Sequence, residues 1–135
     1  MKTRVSTEDA FSLAELLVVL IVLGIILYFA FPNIVQVKSD SERELAKARA
    51  ETLNLAAAAY VQTKGSNILT DEDDPWENKS EEARYQLIKE YIAFAATNLS
   101  SFLPSSDYRI EFNDTQPHKI KAELYGPGDT NKISY

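Results

Sequence analysis

From Phe11 to Phe31 the chain reads FSLAELLVVLIVLGIILYFAF, apolar at nearly every position and interrupted by Ser12 and the carboxylate of Glu15. At ~1.5 Å per residue this stretch makes roughly 31 Å of helix, about the thickness of a bilayer's hydrocarbon core. A helix apolar on every face belongs in lipid or deep in a core, and the rest of this chain is too short to wrap it. After Pro32 the pattern changes. Ile34, Ser41, Ala48 and Leu55 fall seven apart, and Val37, Leu45, Thr52 and Ala59 interleave with them at helical spacing. Asp40, Glu42, Arg43, Glu44, Lys47, Arg49 and Glu51 occupy the other face. The spacing predicts an amphipathic helix over 32–64 whose stripe of small apolar residues packs under a sheet. Ser39-x-x-Glu42 has the form of a capping box, so a break near residue 39 is the alternative to one continuous helix. The run Leu55-Ala56-Ala57-Ala58-Ala59-Tyr60 favours helix strongly, and Lys64-Gly65 supplies its stop.

Residues 65–79 are polar and turn-rich, and Asp74-Pro75-Trp76-Glu77 reads as a helix start with Asp as cap and Pro at the first position. From Ser80, the positions Ala83, Leu87, Ile88, Tyr91, Ile92 and Ala95 predict a second helix over about 80–98. In the last third, Tyr108-Arg109-Ile110-Glu111-Phe112 and Lys119-Ile120-Lys121-Ala122-Glu123-Leu124 alternate apolar and polar. Between them lies the turn material Asn113 to His118. This predicts an antiparallel hairpin over about 108–125. Gly126-Pro127-Gly128-Asp129 turns the chain again, and Lys132 to Tyr135 offers a short third strand. The expected class is α+β: a long N-terminal helix, a second helix in the connecting region and a small C-terminal antiparallel sheet.

Composition alters this picture in two places. The chain of 135 residues has a net charge of −6, which argues against nucleic acid, whose recognition needs a basic face. It has no cysteine, which excludes a disulfide staple and a thiolate metal site. The acidic run Asp71-Glu72-Asp73-Asp74 lacks the spacing and central glycine of an EF-hand, so a solvated loop is expected. Calcium on Asp71, Asp73 and Asp74 is the alternative; otherwise no metal and no cofactor are expected. His118, the single histidine, sits in a turn.

The first ten residues, MKTRVSTEDA, are hydrophilic, with Lys2 and Arg4 ahead of the apolar run. Positive residues there hold that end in the cytoplasm and place the rest of the chain across the membrane. A secretory signal peptide would have a shorter apolar core and small residues at a cleavage site, whereas here Tyr28-Phe29-Ala30-Phe31-Pro32 is bulky. Tyr28, Phe29 and Phe31 suit an aromatic belt at the interface. Glu15 has two readings: an acid at the membrane edge reaching back to headgroups, or a buried carboxylate paired with a cation on another chain.

The stretch Ala10-Phe11-Ser12-Leu13-Ala14-Glu15-Leu16-Leu17-Val18-Val19-Leu20 resembles the N-terminal motif of prepilins, the precursors of type IV pilins and type II secretion pseudopilins. In that family a basic leader is removed by a dedicated membrane peptidase, the new N-terminal residue, very often Phe, is N-methylated, and the fifth mature residue is Glu. The resemblance places the cut between Ala10 and Phe11, the methyl group on Phe11, and Glu15 at the fifth position. Gly24 and Pro32 also fall where these helices carry familiar landmarks. The family usually has Gly where this chain has Ala10. The resemblance covers roughly residues 1–35.

What it implies is specific. Residues 1–10 are the leader, 11–31 the membrane and filament-core segment, 32–64 the scaffold half of one pilin-like helix, and 65–135 a small extracytoplasmic head. The carboxylate of Glu15 meets the N-terminal amine of Phe11 on itself or a neighbour, so that two charges costly alone in low dielectric offset each other. Gly24 lowers helix propensity and Pro32 removes a donor, which predicts a kink or melted stretch between them when helices pack. The implied partners are copies of the chain and other pilin-like subunits, the prepilin peptidase, an inner-membrane assembly platform and membrane lipid. The implied location is the bacterial inner membrane, single-pass with the head outside the cytoplasm, and then a periplasmic or surface filament. A second reading is a bitopic anchor for a small binding domain that does not polymerise. An enzyme is not expected, because no cysteine, one turn histidine and no phosphate-binding glycine loop leave little for a site.

Overall fold

The computed structural model describes residues 12–65, 76–128 and 132–135. Residues 1–10, expected as a leader, Phe11, the start of the helix expected at Asp74-Pro75, and Asp71, Asp73 and Asp74 lie outside the described residues. The chain divides into two compact units, Met1–Ser39 and Asp40–Tyr135. One helix, α1 (Leu13–Lys64), contributes to both.

In the first unit the helix exposes its apolar side chains all round, from Leu13 through Val37. It is the one helix among the described residues long and apolar enough to cross a membrane. Gly24 and Pro32 both lie inside unbroken helix. Pro32 has no N–H to give the carbonyl of Tyr28, and the side-chain amide of Asn33 donates to the carbonyl of Phe29 at 3.4 Å. No break occurs at Ser39 either, so the capping-box alternative there is not used.

In the second unit α1 ends at Lys64, where Gly65 takes φ +92° and donates to the carbonyl of Val61 at 2.9 Å. Only a residue without Cβ adopts that left-handed turn cheaply, as the Lys64-Gly65 stop anticipates. The buried face of α1 here is Ala46, Ala50, Leu53, Ala56, Ala57, Tyr60 and Val61. This corrects the stripe expected from the heptad spacing: Ser41, Leu45, Ala48 and Leu55 point to solvent, with Leu45 44% and Leu55 71% exposed. The physical reason is bulk. The head fills its core with Trp76, Tyr85, Ile88, Phe102 and Phe112, and the run of alanines at 46, 50, 56 and 57 lets those large groups approach the helix axis closely. Trp76 lies 6.0 Å from the ring of Tyr60 and 5.6 Å from that of Phe112.

Helix α2 (Glu81–Ile88) starts at Ser80, whose hydroxyl accepts from the N–H of Ala83 at 3.3 Å. It is shorter than the helix expected over 80–98. A 3-10 turn follows at Lys89–Tyr91, and then the chain leaves helix until α3 (Leu99–Phe102). Side chains of α2 draw this segment back: Tyr85 Oη donates to the carbonyl of Ala96 at 2.8 Å and Gln86 Nε2 to that of Thr97 at 2.9 Å. Those carbonyls are therefore satisfied without helical bonds, and tertiary contacts override local propensity.

The three-stranded antiparallel sheet has the order β1 (Arg109–Glu111), β2 (Glu123–Tyr125), β3 (Lys132–Ile133). Ile110 faces Leu124, and Leu124 faces Ile133, so one buried row crosses all three strands. The hairpin and the third strand match the sequence pattern, but β2 is shorter than expected. Lys119 and Ile120 donate to the carbonyl of Gln116 in a turn instead of entering the sheet. Asn113 Oδ1 begins that turn by accepting from Thr115 N at 3.1 Å and Gln116 N at 2.6 Å, a local bond that competes with strand pairing.

Candidate functional site

Helix α1 begins with Ser12 as its cap. Ser12 Oγ accepts from the N–H of Glu15 at 3.2 Å, and Glu15 Oε2 accepts from the N–H of Ser12 at 2.8 Å. The carbonyl of Ser12 takes the first helical bond, from Leu16 N at 3.2 Å. This is a reciprocal capping box, Ser-x-x-Glu, and it satisfies two donors that a helix start otherwise leaves open. The same four-residue signature is present in the sequence at 12–15, yet the apolar run around it draws attention to charge rather than to capping.

The arrangement gives Glu15 a structural task and leaves it chemical capacity. One carboxylate oxygen is committed to the backbone of Ser12. A carboxylate carries a second oxygen, able to accept from a cation while the cap stays closed. Its negative charge lies in the first turn, where the helix dipole favours it. Ala14, Val18 and Val19 surround it on the exposed surface of α1. Ala10 and Phe11 lie outside the described residues, Gly24 and Pro32 sit well along the same helix, and among the described residues no sequence-predicted site residue is brought to Glu15 by the fold.

The strongest polar cluster in the second unit was not anticipated. Arg84, 3% exposed, donates from Nε to the carbonyl of Trp76 at 3.2 Å and from Nη1 to Glu81 at 2.9 Å and the carbonyl of Phe112 at 3.4 Å. Nη2 donates to Asp114. Glu81 in turn accepts the N–H of Phe112 at 2.9 Å. The guanidinium thus joins α2 to the end of β1 and lies over the Trp76 ring at 5.7 Å. Four of its five N–H donors go to the protein itself, which makes it a structural clamp. A charged residue at a helical position spaced for a solvated face gives no sequence signal of this burial.

On the outer face of the sheet, Glu123 accepts from Tyr125 Oη and from Lys132 Nζ, each at 2.5 Å. The bonds from Lys132 and Tyr125 hold the Glu123 carboxyl below its usual range, and the bond to Glu123 pushes Tyr125 up to about 12. Among the described residues no group of three or more His, Cys, Asp or Glu is placed to hold a metal ion.

Comparison of the chain with family models, curated proteins and solved structures finds no match.

Proposed function

We propose that this chain is a structural subunit of a type IV pilus-like or type II secretion pseudopilus filament, not an enzyme. On this reading the prepilin peptidase cuts between Ala10 and Phe11, Phe11 is N-methylated, and the subunit waits in the inner membrane. Lys2 and Arg4 keep the leader cytoplasmic and the head outside. Other pilin-like subunits and an assembly platform then draw it into a periplasmic or surface filament.

The observation that carries this reading against a simple anchor is where the exposed apolar surface stops. A membrane span needs about 20 apolar residues. On α1, large apolar side chains stay exposed well past that length, at Ile34, Val35, Val37, Leu45 and Leu55. The exposed apolar surface that runs on from the span through Ile34, Val35 and Val37 supports a helix that leaves lipid to pack against other helices. The pairing of Glu15 with the amine of a mature Phe11 then supplies register.

Mass spectrometry of the membrane form tests the proposal. A chain beginning at methylated Phe11 is expected; an intact Met1 end would leave the bitopic anchor as the better reading.

A further inference from the structure

Three asparagines of the second unit open an Asn-x-Ser/Thr triplet with no proline inside it: Asn78-Lys79-Ser80, Asn98-Leu99-Ser100 and Asn113-Asp114-Thr115. Such a triplet, on a surface segment of an exported protein, is the acceptor for N-linked sugar. Turn and cap chemistry favours the same residues, and the fold separates the two uses.

In the first two triplets local structure accounts for the residues. Asn78 takes φ +58°, a left-handed conformation that asparagine tolerates, and Ser80 caps α2. Asn98 caps α3 through its side-chain oxygen, and Leu99 beside it lies in the core, so this triplet does not enter an enzyme without unpacking the head.

The third triplet differs. Asn113 Oδ1 accepts from the N–H groups of Thr115 and Gln116, and the Thr115 hydroxyl donates to it at 3.4 Å. Aspartate would make this turn equally well. What asparagine adds is an amide nitrogen, and Asn113 Nδ2 is open to solvent and donates to no group among the described residues. Asn54, by contrast, uses both ends, donating to Tyr135 Oη at 3.0 Å and accepting from Ala122 N at 2.9 Å. Asp114, Thr115 and Gln116 are exposed, while Trp76 Nε1 donates to the carbonyl of Asn113 at 2.9 Å, so the turn stands out from the core on a fixed base. Phe112 and Asp114, on either side of Asn113, line a hollow of about 480 Å³ with Asn78, Lys79 and Glu111, whose donors and acceptors suit sugar hydroxyls.

We propose that Asn113 is a site of N-linked glycosylation. The donor is a polyprenyl-pyrophosphate-linked oligosaccharide, and the catalyst is a membrane oligosaccharyltransferase acting outside the cytoplasm. Nδ2 attacks C1 of the first sugar, the C1–O bond to pyrophosphate breaks, and the lipid pyrophosphate leaves with the bonding electrons. Nδ2 passes one of its two protons to a base of the transferase and keeps the other. Oδ1 is untouched, so the turn survives the modification. This inference rests on the filament reading for one point, that the head lies outside the cytoplasm.

Peptide mapping by mass spectrometry of the chain from its native cells tests the site. The peptide holding Asn113 is expected to carry a sugar mass, and those holding Asn78 and Asn98 none. Asn113→Asp keeps the acceptor oxygen of the turn and removes the nucleophile, so the added mass should vanish while the head still unfolds cooperatively. Thr115→Ala should also lose the mass, and Thr115→Ser should retain it. An unmodified Asn113 peptide, a sugar on another asparagine instead, or added mass that survives Asn113→Asp overturns the proposal. The N-terminal peptide in the same spectra reports the filament reading separately. Methylated Phe11 beside a bare Asn113 removes the glycan alone; a glycan on a chain with an intact Met1 end keeps the glycan and counts against the filament.

Discussion

The carboxylate of Glu15 accepts the backbone N–H of Ser12 at 2.8 Å while the Ser12 hydroxyl accepts from Glu15, so the same acid that would pair between subunits also closes the start of α1. These two roles separate by mutation. Glutamine serves in a capping box as well as glutamate does, but it carries no charge. Glu15→Gln should therefore keep the helix start and membrane insertion yet abolish filaments. Ser12→Ala should cost about 1 kcal/mol of helix stability and still permit assembly. Sheared-filament yield beside membrane-fraction abundance reads both; normal filaments from Glu15→Gln would reduce Glu15 to a cap.

Pro32 lies inside unbroken helix and withholds a donor from the carbonyl of Tyr28. Pro32→Ala restores that bond and stiffens the segment where a filament helix would bend. The expected result is an altered rise per subunit, measured by helical reconstruction. Unchanged geometry and yield would make Pro32 only a marker of membrane exit.

Leu53 and Leu55 report which way α1 faces in the head. Leu53 is fully buried and Leu55 is 71% exposed. Leu53→Ala should destabilise the head by about 2–5 kcal/mol through the cavity it leaves. Leu55→Ser should change stability by no more than about 0.5 kcal/mol, while lowering filament yield through its lost contact with other helices. Denaturant titration in detergent separates the two.

Arg84→Met should cost about 3 kcal/mol. Removing one partner of a buried pair carries a penalty of about 3–5 kcal/mol, and the low end applies because Asp114 is itself exposed and rehydrates. The carbonyls of Trp76 and Phe112 also lose a donor. The midpoint of chemical unfolding checks this.

Alkaline pH should weaken the head through Tyr125. Its hydroxyl donates to Glu123, which raises it from 10.0 to about 12, so the folded state holds a proton that the unfolded state has lost. That contribution is complete below pH 10 and disappears as pH rises through 12. Burial raises Tyr85, Tyr108 and Tyr135 as well, which adds in the same direction. Glu123 behaves oppositely: its lowered carboxyl stabilises above its usual value of 4.5 and ceases to do so as pH falls below it. Melting temperature against pH should fall at both ends, and Tyr125→Phe should flatten the alkaline limb.

What the sequence determined by itself is whatever depends on neighbours along the chain. The apolar helix through residue 31, the glycine stop at residue 65, the second helix starting at Ser80 and the alternation around Ile110 and Leu124 each follow from local chemistry, and each is in place among the described residues. The candidate site was legible as Glu15 in an apolar helix, and its partner Ser12 was readable from the three-residue spacing. The tertiary structure decided the rest. Heptad spacing showed that α1 has an apolar stripe, but the alanine-rich half offers two, and only the volume of Trp76, Tyr85 and Phe102 selects the face of Ala46, Ala50 and Ala57. The second helix had the pattern to reach residue 98. It stops at Ile88, and Tyr85 and Gln86 of the same helix hold the carbonyls of Ala96 and Thr97 outside helix, a fold-back that helical periodicity does not register. Arg84 is buried for the same reason: its partners at residues 76, 81, 112 and 114 meet only after the chain has folded.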